Sequence, residues 1–185
     1  MRKLLFALVL LAAPTFASAQ AVTDLMAEAV LALPDALRDG ATIVTLDSNG
    51  ERLAVIREGT NEYVCEADGP SPGFTVFCAH ESLEHFRQLV TKGLAAGGAE
   101  FGRIVAAGLR PGDLRAGAIE YILSGPDLKR AVLTQVIFLP DATPESTGLS
   151  AEPNGDTAWL MSAGTPMAHV MVGPIPWMLR QGLNP

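Results

Sequence analysis

Cys65 and Cys78 are the two cysteines of a 185-residue chain, and each closes a run of strand-forming residues: Tyr63-Val64-Cys65 and Phe74-Thr75-Val76-Phe77-Cys78. Between the runs lies Asp68-Gly69-Pro70-Ser71-Pro72-Gly73, whose prolines and glycines break regular structure and turn the chain. The pattern predicts two short strands around a loop. A bond between the sulfurs would pin the two ends of that loop together. Twelve residues separate the cysteines, and closing a loop of this size stabilises a fold by about 3 kcal/mol. The alternatives are two reduced thiols or a metal pair. A redox-catalytic role is not expected, because catalytic pairs sit in a tight Cys-x-x-Cys.

Whether the sulfurs oxidise depends on the compartment, and the N-terminus bears on that. Arg2-Lys3 precedes an apolar run from Leu4 to Ala13, and Ala17-Ser18-Ala19 follows. A basic start, a short apolar stretch and a small-x-small site read as a secretory signal peptide over residues 1–19. The run is shorter than the ~20 residues of a membrane-spanning helix, and Pro14 closes it. Cleavage before Gln20 would leave residues 20–185 as a single exported domain, periplasmic or secreted, in which a disulfide is the expected state. Losing Arg2 and Lys3 with the leader takes the formal net charge from -7 to -9. An acidic chain without a basic stripe repels phosphate backbones and anionic headgroups, so neither nucleic acid nor membrane insertion after cleavage is expected.

Hydrophobic periodicity gives the elements. Leu25, Met26, Ala29, Val30, Leu33 and Leu37 recur at helical spacing over Val22 to Arg38, with a kink or break due at Pro34. The period then changes to two. Ala41 to Leu46 and Glu51 to Arg57 read as strands around the turn Asp47-Ser48-Asn49-Gly50. A helix follows from Glu81 to Ala96, ended by Gly97-Gly98, and a weaker one from Ala99 to Ala107. Ala118 to Ser124 and Ala131 to Leu139 are the most apolar segments and read as central strands. Pro140 to Thr157 reads as a long polar loop, and Trp159-Leu160-Met161 and Ala168 to Val172 as the closing strands before a proline-rich tail. The fold class expected is α+β: a mostly antiparallel sheet with two or three packing helices and one disulfide.

Four stretches carry residues capable of chemistry. His80-Glu81-Ser82-Leu83-Glu84-His85 nearly spells the zinc-protease helix, but five residues rotate the second histidine about 140° off the face of the first. His80 with Glu84 and Glu81 with His85 do share a face, as exposed pairs worth ~0.3 kcal/mol each. His169 and Met171 would point to one side of a strand, with Met167 in the same register, a donor set that suits Cu(I) or haem iron. Met171 in the core and His169 in a hydrogen bond is the structural alternative. Arg57-Glu58-Gly59-Thr60-Asn61 joins two strands. There Arg57 could clamp an anion and Glu58 act as a base, while Gly59 and Asn61 supply a turn and Arg57 pairs with a carboxylate in the purely structural reading. Pro144-Glu145-Ser146-Thr147-Gly148 offers an acid and a hydroxyl that could join His169 in a Ser-His-acid arrangement, yet no Gly-x-Ser-x-Gly elbow accompanies it. No Cys-x-x-Cys-His haem motif, phosphate-binding glycine loop, calcium loop or dinucleotide fingerprint is present, and no cofactor is expected.

From about Ala41 to Val172 the chain resembles a group of exported bacterial proteins with no assigned activity. The resemblance rests on Arg57 to Asn61 ahead of Cys65, Gly73-Phe74 before Cys78, Glu81-Ser82-Leu83-Glu84, Tyr121-Ile122-Leu123-Ser124-Gly125, Pro140 to Leu149, Trp159-Leu160-Met161 and Gly164 to Met171. Ala79-His80 stands where the pattern has Tyr-His. The resemblance implies a bacterial, exported, stand-alone domain and transfers no catalytic residue. The expectation is therefore a non-enzymatic binding or interaction domain for an unknown small molecule or protein. Its cleft would be lined by Arg57, Glu58, Glu145, Ser146 and His169, where the hairpin end meets the long loop. Copper or haem binding through His169 and Met171 is the first alternative, and a hydrolase using Ser146 and His169 the second.

Overall fold

Pro34 ends the first helical pattern as its chemistry requires, since it offers no N–H and its ring crowds the preceding turn. The computed structural model describes residues 16–47, 51–69, 72–96, 98–110, 112–153 and 158–176. In it the N-terminal pattern forms two helices, α1 (Phe16–Ala29) and α2 (Asp35–Arg38), with Pro34 as the residue before α2. The first fifteen residues, most of the expected leader, lie outside the described residues, as do Ser48, Asn49 and Gly50 of the expected turn.

The strands then follow where alternation put them: β1 (Thr42–Leu46), β2 (Arg52–Arg57), β3 (Tyr63–Glu66) and β4 (Phe74–His80). Two helices come next, α3 (Glu84–Ala96) and α4 (Gly98–Gly108), and then β5 (Ile119–Gly125) and β6 (Val132–Phe138). The stretch expected to be loop from Pro140 to Thr157 contains a one-turn helix, α5 (Pro144–Thr147). Its start is a capping box: Thr143 Oγ1 accepts from Ser146 N–H, and Ser146 Oγ accepts from Thr143 N–H. Residues 154–157 of that stretch are outside the described residues. The chain returns through β7 (Trp159–Met161) and β8 (His169–Val172).

The eight strands among the described residues form one sheet, in the order β2-β1-β3-β4-β5-β6-β8-β7. β1 and β3 run parallel and every other neighbouring pair antiparallel. This is the α+β architecture, with the two most apolar strands, β5 and β6, inside the sheet. Side chains on both of its faces are buried. Alternate residues of β4, β5 and β6 (Phe77, Ala79, Ile122, Val136, Phe138) bury against Leu83, Phe86 and Val90 beneath α3, and against Phe101 and Val105 of α4. The intervening residues Val76, Cys78 and Tyr121 bury against Ala29, Val30 and Leu33 on the opposite side. Among the described residues no helix is long and apolar enough to cross a membrane.

Cys65 and Cys78 are directly opposed on β3 and β4, fully buried, with Cα atoms 4.0 Å apart, and they form a disulfide. Replacing both by alanine is expected to lower the unfolding free energy by about 3 kcal/mol, since the cross-link restricts the unfolded chain. Urea unfolding of the double variant beside the oxidised parent checks this, and coincident midpoints would contradict it.

The histidine pairs expected at helical spacing are not formed. His80 is the last residue of β4 and caps the 3-10 turn Glu81–Leu83 by accepting from Ser82 N–H at 3.1 Å, so no helix relates it to Glu84. Its Nε2 lies 3.2 Å from Glu62. Glu84 instead pairs with Arg52 and accepts from Gln88, and His85 lies 2.7 Å from Asp113.

Candidate functional site

The residues singled out in the sequence do not share one cleft. Arg57 is on β2 and His169 on β8, six strand spacings apart in the sheet order, roughly 29 Å at ~4.8 Å per spacing. The Arg57 guanidinium donates from Nε to the carbonyl of Ala41 at 3.1 Å and from Nη2 to the carbonyls of Arg38 and Ala41. Its partners are thus backbone carbonyls, neither an anion nor the expected carboxylate. The rest of that motif has the same task. Gly59 N–H donates to Thr42 Oγ1 at 3.0 Å, Thr60 N–H to Gly40 O at 2.7 Å, and Asn61 Nδ2 to Leu37 O at 2.8 Å. Together they lock the α2–β1 junction onto the β2–β3 connection. Glu58 is exposed nearby.

Glu145 and Ser146 are exposed on α5. Ser146 Oγ is held in the capping box and donates to Thr143 O at 3.0 Å. His169 directs Nδ1 at Met167 O, 2.7 Å away. Ser146 and His169 therefore make no hydrogen bond, and a nucleophile–base pair is not assembled. A hydrogen bond from Thr143 holds the Glu145 carboxyl below its usual pKa range.

What does converge on His169 is a cavity of about 90 Å³ between the sheet and the α3–α4 layer. Its floor is built by register. Across the sheet, Glu120, Val136 and Met171 occupy one row, and Phe138, His169 and Met161 the next. Its roof is Phe86, Arg87, Val90 and Leu94 of α3 with Phe101 of α4, and Ser162, Met167 and Pro176 complete the wall. Pro176 comes from the proline-rich tail, anchored where Thr134 Oγ1 donates to Pro174 O at 2.5 Å.

Two loops frame the His169 end. Asp141 N–H donates to Thr165 O at 2.9 Å, Gly164 N–H to Ala142 O at 2.7 Å, and Leu139 N–H to Ala168 O at 2.9 Å. The Pro140–Leu149 and Gly164–Met171 stretches are thus bonded to one another, and between them they set the position of Met167 and His169. Ser162, on the cavity wall, has φ of 56°, a left-handed conformation uncommon without glycine. Its carbonyl accepts from Thr165 N–H and Thr165 Oγ1, which holds the reversal between β7 and β8.

The polar end of the cavity was not anticipated from sequence. Arg87, 3% exposed, lies between two buried carboxylates: Nη2 is 2.7 Å from Glu66 Oε2 and Nη1 is 3.0 Å from Glu120 Oε1. Its Cζ stacks 3.8 Å from the centre of the Phe77 ring. The Glu120 contact is close but not aligned as a hydrogen bond, so among the described residues Glu120 Oε1 and Arg87 Nε have no hydrogen-bond partner. Burial raises the Glu120 pKa, which Arg87 opposes and Glu66 reinforces. Burial pulls on the Arg87 pKa in the other direction, but Glu66 and Glu120 outweigh it and hold the guanidinium above its ordinary value. Burial also lowers the His169 pKa, against the hydrogen bond to Met167 O.

Among the described residues no group of three or more His, Cys, Asp or Glu side chains could hold a metal ion. The chain matches no protein-family model, no curated protein and no solved structure.

Proposed function

We propose that this chain is a binding domain whose ligand occupies the cavity under α3 and α4. The observation that supports this reading is the pairing of apolar walls with a buried ionic cluster at one end of the same cavity. Phe86, Val90, Phe101 and Phe138 supply apolar walls, while Arg87 and Glu120 line the same space, and Arg87 Nε and Glu120 Oε1 have no hydrogen-bond partner among the described residues, although Glu120 Oε1 lies 3.0 Å from Arg87 Nη1. A buried polar atom left unpaired costs about 1–3 kcal/mol, and a ligand that reaches it recovers that loss. The enclosed volume is that of a few waters, below the roughly 150 Å³ that holds benzene in an engineered cavity. The residues at the surface, Glu58, Glu145 and Ser146, have no part in this reading.

A thermal-shift panel of small molecules and metal ions tests it, with Val90→Phe as the variant that fills the space. A ligand at a hundred times its Kd adds about 2.7 kcal/mol, which for a chain of this size raises Tm by roughly 5–10 °C. The expected result is a shift of that order that Val90→Phe abolishes. A shift that Val90→Phe leaves intact, or a panel without any response, would overturn the proposal.

A further inference from the structure

Three of the six methionines of the chain, Met161, Met167 and Met171, line this cavity together with His169. Their meeting follows from the strand register. Met161 and His169 are directly opposed on β7 and β8, which places their Cβ atoms about 5 Å apart on the same face. Met171 is two residues from His169 on β8, so it shares that face, and it is 1% exposed. Met167 stands at the strand entry, where its carbonyl accepts from His169 Nδ1. With Nδ1 donating to that carbonyl, the ring carries its lone pair on Nε2, which has no hydrogen-bond partner among the described residues. The group is thus one imidazole nitrogen and three thioethers at one end of the cavity.

We propose that this end of the cavity is a site for a soft monovalent metal ion, Cu(I), held by His169 Nε2 and the sulfurs of Met161, Met167 and Met171. The inference rests on the reading of the cavity as the ligand site and names its occupant. Thioether and imidazole donors select Cu(I) over hard divalent ions. The site needs no thiolate, which accords with both cysteines being joined in the disulfide. Four neutral donors leave the ion's charge uncompensated. Glu120 shares the Met171 row two strands away through Val136, and its cluster with Arg87 and Glu66 carries a formal charge of -1 when both carboxyls are ionised, opposite in sign to Cu(I). About 90 Å³ suits an ion with a water or two and is far too small for a porphyrin, so of the two metal readings from sequence only copper is retained.

The test is a competition titration of the purified oxidised protein with Cu(I) against a chromophoric Cu(I) chelator, without oxygen. The expected result is one equivalent retained, with affinity reduced at least tenfold by M161L/M167L and, separately, by H169Q, and unchanged by M26L in α1. Methionine to leucine nearly conserves volume, and H169Q gives a second reading if the double variant folds poorly. No retention by the parent, or retention indifferent to both variants, would overturn the assignment. Xenon uptake by the same samples separates the two claims. Xenon in the cavity of a protein that does not retain Cu(I) removes the metal and leaves the binding-domain reading intact, whereas loss of both removes both.

Discussion

Replacing Arg87 by methionine is expected to destabilise the folded chain by about 3–5 kcal/mol, because it strands two carboxylates in the core without their counter-charge. Glu66 and Glu120 are 7% and 3% exposed, so neither can turn outward to water. Thr91 Oγ1 donates to Glu66 at 3.3 Å, but Glu120 has no comparable second support among the described residues. The loss of the charge stacked on Phe77 adds to the effect. A companion variant isolates the cause. With Glu66→Leu and Glu120→Leu added, the triple variant removes every charge of the cluster, and its stability is expected within about 1 kcal/mol of the parent or above it, since apolar replacement of a buried ionic cluster is often neutral or favourable. Urea unfolding of the three proteins decides this. A loss below 1 kcal/mol for Arg87→Met, or a triple variant as unstable as the single one, would contradict the account.

Gly59→Ala is expected to cost about 3 kcal/mol, as an overpacked position that cannot relax. A Cβ at Gly59 would lie 2.3 Å from Thr42 N, 2.4 Å from Gly40 O and 2.6 Å from Ala41 C. All three are backbone atoms, so no side-chain rotation relieves the clash. The chain around them is held by Arg57 and Asn61, which turns a local overlap into displacement of the whole β1–β2 edge. Gly69→Ala is the control, because nothing lies within 4 Å of its added Cβ, and a change within ±0.5 kcal/mol is expected there. Equal midpoints for Gly59→Ala and the parent in urea would show the contact to be absent.

Strand identity was legible because period-two alternation and turn chemistry act within a few residues. Thus β1, β2, β3 and β4 lie where Ile43, Val55, Cys65 and Val76 suggested. Lateral order was not legible, because nothing local states that β3 inserts between β1 and β4, or that β8 precedes β7 at the far edge. That order is what separates Arg57 from His169 and defeats a cleft shared between them. It is also what unites Met161 with His169. The one signal available was the reading of both segments as closing strands, and pairing them as a hairpin would have opposed these two residues. Arg87 and Glu120 were hidden for a different reason. Each occupies a position that periodicity assigns to the core: Arg87 on the α3 face with Phe86 and Val90, and Glu120 inside one of the two most apolar strands. A charge at such a position is the mark of a buried partner, but the sequence does not say which residue that partner is.

Pressurising crystals of the oxidised protein with xenon tests most directly that the space beneath α3 and α4 receives a guest. One xenon peak enclosed by Phe86, Val90, Phe101 and Phe138, and absent from Val90→Phe crystals, is the expected result. Density confined to the outer surface, or side chains closed over the space, would contradict it.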